Sequence, residues 1–206
     1  MKRFALVFSF VAASLCAQEV HRFTLSAGGG FTEPVGATGR RLNTGWNIQG
    51  TAGINFNRWV GAVVQADYNR MNLNGTTLDR IGVPGGDVGI FSATVNPVVH
   101  LAPIGRASIY LIGGGGVYHR NQEFTQPGIG SATAFDPFFG FYPVEFATTQ
   151  VIASSSMLKP GVNGGAGVEF GSRWRGKFFA EARYHRIFMG NQRHTDYIPV
   201  TFGFRW

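Results

Sequence analysis

The 206-residue sequence predicts an all-β chain, an eight-stranded antiparallel up-and-down transmembrane β-barrel. Three observations carry this prediction. The last ten residues set a bulky apolar face (Ile198, Val200, Phe202, Phe204, Trp206) against a small or polar one (Tyr197, Pro199, Thr201, Gly203, Arg205). That is the period of two expected of a strand with unlike faces. The same alternation recurs in segments of similar length along the chain, with no heptad and no sustained 3.6-residue period after residue 20. Finally, the connections between segments alternate between short and long.

The first segment, His21 to Thr32, puts Phe23, Leu25, Ala27, Gly29 and Phe31 opposite Arg22, Thr24 and Ser26. Gly45 to Phe56 opposes Trp46, Ile48, Gly50, Ala52, Ile54 and Phe56 to Asn47, Gln49, Thr51 and Asn55, and Asn57-Arg58 makes a tight turn. Trp59 to Arg70 follows, with Val60, Ala62, Val64, Ala66 and Tyr68 against Gln65, Asp67 and Asn69. In Gly86 to Leu101, Phe91, Ala93, Val95, Pro97, Val99 and Leu101 share the apolar face, while Asn96 and His100 share the other. Proline removes a ladder donor, so a bulge or local break is expected near Pro97. Ser108 to His119 is the fifth strand, and the run Gly113 to Gly116 leaves its parity open. Pro160 to Phe170 sets Val162, Ala166, Val168 and Phe170 against Asn163 and Glu169. Lys177 to Ile187 sets Phe178, Ala180, Ala182 and Tyr184 against Glu181, Arg183 and His185, and the C-terminal segment is the eighth.

Connections after the second, fourth and sixth segments are brief: Asn57-Arg58, Ala102 to Arg106, and Ser172 to Gly176. Those at 33–44, 71–85, 120–159 and 188–195 are longer. Long loops on one rim and short turns on the other are the architecture of an outer-membrane barrel, whose turns are periplasmic and whose loops are extracellular. A soluble eight-stranded barrel reverses the faces. Here the apolar faces are too bulky to fill so narrow a lumen, whereas Gly53, Gly61, Gly165, Gly167, Gly203 and a few polar groups fit one. The apolar faces are therefore expected to meet lipid.

Composition agrees. Glycine is abundant at 30 residues, charged residues make up only 14%, and mean hydropathy is +0.02, too low for a helical membrane protein. Lys2 and Arg3, the apolar run Phe4 to Val11, and the small residues around Ala12 to Ala17 are laid out as a signal peptide. Cleavage before Gln18 is expected, giving a signal peptide at 1–17 and a barrel domain at 18–206. That cut removes Cys16, the only cysteine, so a closed strand ladder must hold the exported domain in place of disulfides. The pI near 10.1 comes from scattered arginines without a basic cluster, so no nucleic-acid partner is expected.

Three stretches, Gly45 to Trp59, Gly161 to Phe170 and Ile198 to Trp206, resemble the small outer-membrane β-barrel family that includes OmpX, the OmpA barrel domain and the opacity proteins. The resemblance covers essentially all of the chain after the signal peptide. It implies a non-enzymatic protein of the cell outer membrane with an envelope structural, adhesion or surface-interaction role and no cofactor. Outer-membrane lipids and lipopolysaccharide are the implied surroundings. Phe202, Phe204 and Trp206 are similar to the C-terminal signal read by the barrel-assembly machinery, with Trp206 where phenylalanine is more usual. Unlike full-length OmpA, no peptidoglycan-binding domain is expected.

Candidate sites are few. Inward charges Asp67, Glu169, Glu181 and Arg183 form an internal polar plug in this reading, with Arg183 and Glu169 at comparable depths and Asp67 and Glu181 as further partners. A gated pore for small solutes is the alternative use of the same charges. His21, His100, His119, His185 and His194 lack metal-ligand spacing. The rival function is a lipid-modifying enzyme like a lipid A deacylase, but its His-x-Ser pair is missing: His185 is followed by Arg186 and Ile187. The loop 120–159 gathers Phe135, Phe138, Phe139, Phe141 and Tyr142. It is expected either to bind an extracellular partner or to be a hairpin continuing the strands, with its aromatics packed together or lying on lipid headgroups.

Overall fold

The structure, a computed structural model, describes residues 23–104, 107–172, 176–190 and 193–206. The signal-peptide expectation at 1–17 lies outside the described residues. Eight strands form, in the expected order: β1 (Phe23–Pro34), β2 (Gly45–Asn55), β3 (Val60–Asn72), β4 (Gly85–Ile104), β5 (Ala107–Asp136), β6 (Gly140–Ser172), β7 (Gly176–Gly190) and β8 (Arg193–Arg205). Each pairs antiparallel with its sequence neighbours, and β8 closes on β1 through pairs such as Phe31 with Val200 and Ala27 with Phe204. Closure leaves no open edge in the ring itself. Two short helices, α1 (Gly36–Gly39) and α2 (Gly75–Ile81), occupy two of the long connections.

The faces fall as the alternation predicts. Phe23, Leu25 and Phe31 are exposed on the outside of β1, while Thr24, Ser26 and Thr32 are buried inside. On β8 Phe202 is 54% exposed and Thr201 only 2%. The apolar exteriors at 23–31, 46–56 and 91–101 match the roughly 9–11 residues that a tilted strand needs to cross a bilayer. At the short-turn rim, Asn57 Oδ1 accepts from the amides of Trp59 and Val60, both at 2.8 Å, which fixes the β2–β3 turn.

β5 keeps one parity through its four glycines. Ile109, Leu111 and Val117 face out, and Tyr110, Ile112 and Tyr118 face in. Gly116 allows a close approach of strands: a Cβ there would sit 2.7 Å from Thr94 Cα. The β4–β5 ladder skips Asn96 and Pro97 and resumes at Val98 and Ile112, which is the local break expected of that proline. The bulge itself lies further on, between His100 and Ala102. Pro199 has the same effect on β8, where the ladder to β7 skips from Ala182–Val200 to His185–Tyr197.

Two long connections do more than join strands. Leu42 bridges Leu73, Asn43 N donates to Asn72 O at 2.8 Å, and Asn74 N donates to Arg41 O at 2.9 Å. Interlocked in this way, the loops bury Leu42, Met71 and Leu73 against the inward side chains Val88, Ile90, Tyr118, Ile187 and Tyr197. Asn74 caps α2 by accepting from Thr77 N at 2.9 Å, and Gly82 ends that helix at φ +67. An apolar layer thus closes the lumen at the long-loop rim, and a smaller one of Val63, Val98, Tyr110 and Ile112 lies toward the other. Between them the interior is polar.

The segment 120–159 takes the second of its two expected forms, a hairpin that continues the strands. β5 runs on to Asp136 and β6 returns from Gly140, in register from Gln126–Gln150 to Asp136–Gly140. β4 stops pairing at Thr125, so beyond that point the two strands stand alone as a ribbon. At roughly 3.3 Å per residue this ribbon projects about 35 Å past the last three-stranded level. The segment 188–195 is likewise mostly strand, since β7 reaches Gly190 and β8 begins at Arg193.

Candidate functional site

All four charges of the expected plug are buried in the lumen: Asp67 at 4%, Glu169 at 1%, Glu181 at 3% and Arg183 at 2% exposure. Alternation places them there, since each shares the inward parity of its strand. Their pairing differs from expectation. Arg183 Nε donates to Glu181 Oε1 at 2.6 Å, two residues along the same face of β7, and not to Glu169. Register explains the difference: Arg183 stands opposite Gly165, whereas Glu169 stands nearer the short-turn rim, opposite Phe179.

Glu169 instead binds Lys177 at 2.7 Å and forms an ion pair with Arg205. Arg205 lies over the rings of Tyr110 and Phe179, with centroids 4.9 and 5.3 Å from its guanidinium carbon. Reading the charges without Arg205 missed this second cluster. Its inward parity was visible in the C-terminal alternation, and that was the signal available.

A hydrogen-bond chain crosses the barrel. Tyr110 donates to Glu181 at 2.8 Å, and Gln49 Nε2 reaches Glu181 Oε1 from the far wall at 3.4 Å. Gln65 donates to Gln49 at 3.0 Å and to Asp67 at 3.4 Å. Asp67 also accepts from Ser92 at 2.5 Å and from Asn69 at 2.6 Å, and Asn69 accepts from Thr32 at 2.6 Å. Asn47 then links Thr32 to Thr201. Seven strands are tied together by these side chains. In a low-dielectric interior such a network rigidifies the wall when its members are satisfied. Nη1 and Nη2 of Arg183 and Nε2 of His185 have no hydrogen-bond partner among the described residues.

The histidines separate by environment. His185 is fully buried, stacked on Tyr197 with ring centroids 4.9 Å apart, and its Nδ1 lies 3.1 Å from the Tyr118 hydroxyl. His100 packs against Tyr110. His194 approaches Asp196 at 3.2 Å, while Asp196 is also held by Arg186 at 2.9 Å. His119 faces outward at the base of the ribbon, where Nε2 and Ser156 Oγ are 3.0 Å apart. This serine–histidine contact spans two strands, so a search for His-x-Ser along the sequence could not find it. Among the described residues no group of three His, Cys, Asp or Glu side chains converges in a way that would hold a metal.

The ribbon tip is built by Asp136, whose Oδ1 accepts from Phe138 N at 2.8 Å and Phe139 N at 3.1 Å. Pro137 presets the turn, and Gly140 takes φ +78, a value that penalises other residues. Below it Phe135 and Phe141 pair across the ribbon with centroids 5.0 Å apart.

No family model matches the chain, and no curated protein matches it. Among solved structures, Neisserial surface protein A (NspA) aligns with a TM-score of 0.58 at 14% identity, over 89% of this chain and 95% of that one. Ail, the attachment invasion locus protein of Yersinia pestis, aligns over 91% of this chain and 100% of its own at 18% identity and TM-score 0.49. The outer membrane protein OprG from Pseudomonas aeruginosa aligns over 90% and 96% at 12% identity and TM-score 0.48. The likeness to Neisserial surface protein A shows that the two chains share a fold.

Proposed function

We propose that this chain is a non-enzymatic β-barrel of the cell outer membrane that displays the β5–β6 ribbon to an extracellular partner. The observation that carries the reading is the inside-out distribution of side chains: exposed phenylalanine, leucine and valine outside, and buried Asp, Glu, Arg, Asn and Gln inside. Water solvates that exterior poorly, while hydrocarbon solvates it well. The fold shared with Neisserial surface protein A supports an eight-stranded barrel. The short-turn rim faces the periplasm, and the ribbon faces outward.

Lipopolysaccharide and phospholipid surround the barrel in this reading. The assembly machinery meets Phe202, Phe204 and Trp206, all on the outer face, with Phe204 and Trp206 centroids 5.0 Å apart. Against a small-solute pore stand the apolar layer at the long-loop rim and the cross-lumen network. A protease site inserted at Gly128 should be cut on intact cells, and one inserted at Asn57 should be protected. The opposite pattern would sink the orientation.

A second reading, a lipid-modifying enzyme resembling a lipid A deacylase, rests on the outward His119–Ser156 pair at the lipid-facing base of the ribbon. Purified wild-type protein and its Ser156→Ala variant, incubated with lipid A, should give identical mass spectra. Acyl loss in wild type that disappears in Ser156→Ala would replace the structural reading with the enzymatic one.

A further inference from the structure

We infer that the ribbon tip docks into a neutral phospholipid bilayer other than the one that holds the barrel. This deepens the proposed surface role and rests on the barrel's outer-membrane placement. Four observations point to it.

The tip holds its aromatics in water by construction. Asp136 ties down two amides and Gly140 turns the chain, leaving Phe138 91% and Phe139 85% exposed. Side chains this apolar collapse onto neighbours when the backbone permits, and here the turn forbids it. The apolar surface also surrounds the apex. Phe135 and Phe141 share one face of the ribbon, while Tyr142, Val144 and Phe146 share the other. A flat protein surface would cover one face and leave the opposite one wet. Immersion in a bilayer covers both.

Charge selects the kind of bilayer. Residues 121–158 contain no Lys, Arg or His, although the chain has 18 Lys and Arg, and their only charges are Glu123, Asp136 and Glu145. A segment with carboxylates alone is repelled by anionic headgroups and gains nothing from them. Lipopolysaccharide makes the barrel's own outer leaflet anionic, so that leaflet is disfavoured, whereas a zwitterionic surface carries no net charge to oppose entry. Reach agrees with this choice, because a free ribbon of about 35 Å carries the tip clear of the barrel's own headgroup layer. A lone two-stranded ribbon is only marginally stable in water, so contact at its apex also stabilises it.

The test places the full chain in nanodiscs and mixes them with separate phosphatidylcholine vesicles, scoring co-flotation. Wild type should float with the vesicles. Phe138→Ser/Phe139→Ser should float at least about tenfold less, since these two phenylalanines at the apex are the most exposed of the tip's apolar side chains and lie far from the barrel wall. Phosphatidylglycerol vesicles should capture less protein than phosphatidylcholine, and high salt should not release the phosphatidylcholine complex. Equal flotation of the double variant, preference for phosphatidylglycerol with loss in salt, or capture only by cell-derived vesicles that carry proteins would each overturn the inference. The last outcome would assign the tip a protein partner. Failure of the chain to enter nanodiscs would sink the outer-membrane reading instead, so the two failures are distinguishable.

Discussion

Arg183→Leu should lower the stability of the detergent-folded barrel by about 3–5 kcal/mol, read from the urea midpoint of unfolding. Arg40→Leu, in the exposed connection after β1, should change it by less than about 0.5 kcal/mol. The asymmetry follows from position. The side chains of Arg183 and Glu181 are each 2% exposed, and their 2.6 Å contact lies in the middle of the cross-lumen chain. Removing the guanidinium leaves a carboxylate whose remaining partners, Tyr110 and Gln49, are neutral. Water in a narrow capped lumen cannot replace the lost cation at bulk strength. Arg183→Leu combined with Glu181→Leu should recover much of the loss, because no charge is then stranded. Equal midpoints for Arg183→Leu and Arg40→Leu would mean a wet, pore-like interior.

Strand number, order and inward and outward faces were legible in the sequence because each depends on one local rule, a period of two, while the expected turns at 102–106 and 172–176 lie partly outside the described residues. The rule survived even Pro97 and Pro199, whose missing donors interrupt one ladder each without shifting register. It needed side chains to work on. Gly113 to Gly116 has none, and the inward direction of Tyr110 and Tyr118 emerged only with the neighbouring strands in place. Pairings were harder to read, because strand tilt and register decide which inward groups meet. Parity alone sees Glu169 and Arg183 as companions, while register separates them and brings Arg205 to Glu169. The His119–Ser156 contact and the apolar layer of Leu42 and Leu73 are hidden for the same reason, since each joins residues from different connections or strands. At 120–159 polar serines and threonines alternate with small residues, which weakens the hydrophobic signal of a strand that has no buried face, so the residues there are compatible with either a hairpin or a partner-binding loop.

The two charge clusters, joined only through Tyr110, should couple weakly, and this is the sharper test of the register. Glu169→Gln keeps the side chain's size but strands Arg205, only 11% exposed, against the rings of Tyr110 and Phe179. The expected cost is about 3–5 kcal/mol, at the lower end because Lys177, at 31% exposure, can turn toward water. In a double-mutant cycle Glu169→Gln and Arg205→Leu should couple by about 1–3 kcal/mol, as groups in contact do. Glu169→Gln and Arg183→Leu should couple less than that, since they sit at different depths and are joined only indirectly, through Glu181, Tyr110 and Arg205. Coupling of Glu169 to Arg183 that exceeds its coupling to Arg205 would show the β6–β7 register slipped toward the pairing that parity alone suggests. A one-residue slip would turn every side chain of a strand to the opposite face. The slip that brings these two charges level must therefore be an even number of residues, and it would leave the apolar exterior of β7 unchanged. Only the charge cycle, and not the membrane insertion of the barrel, can report it.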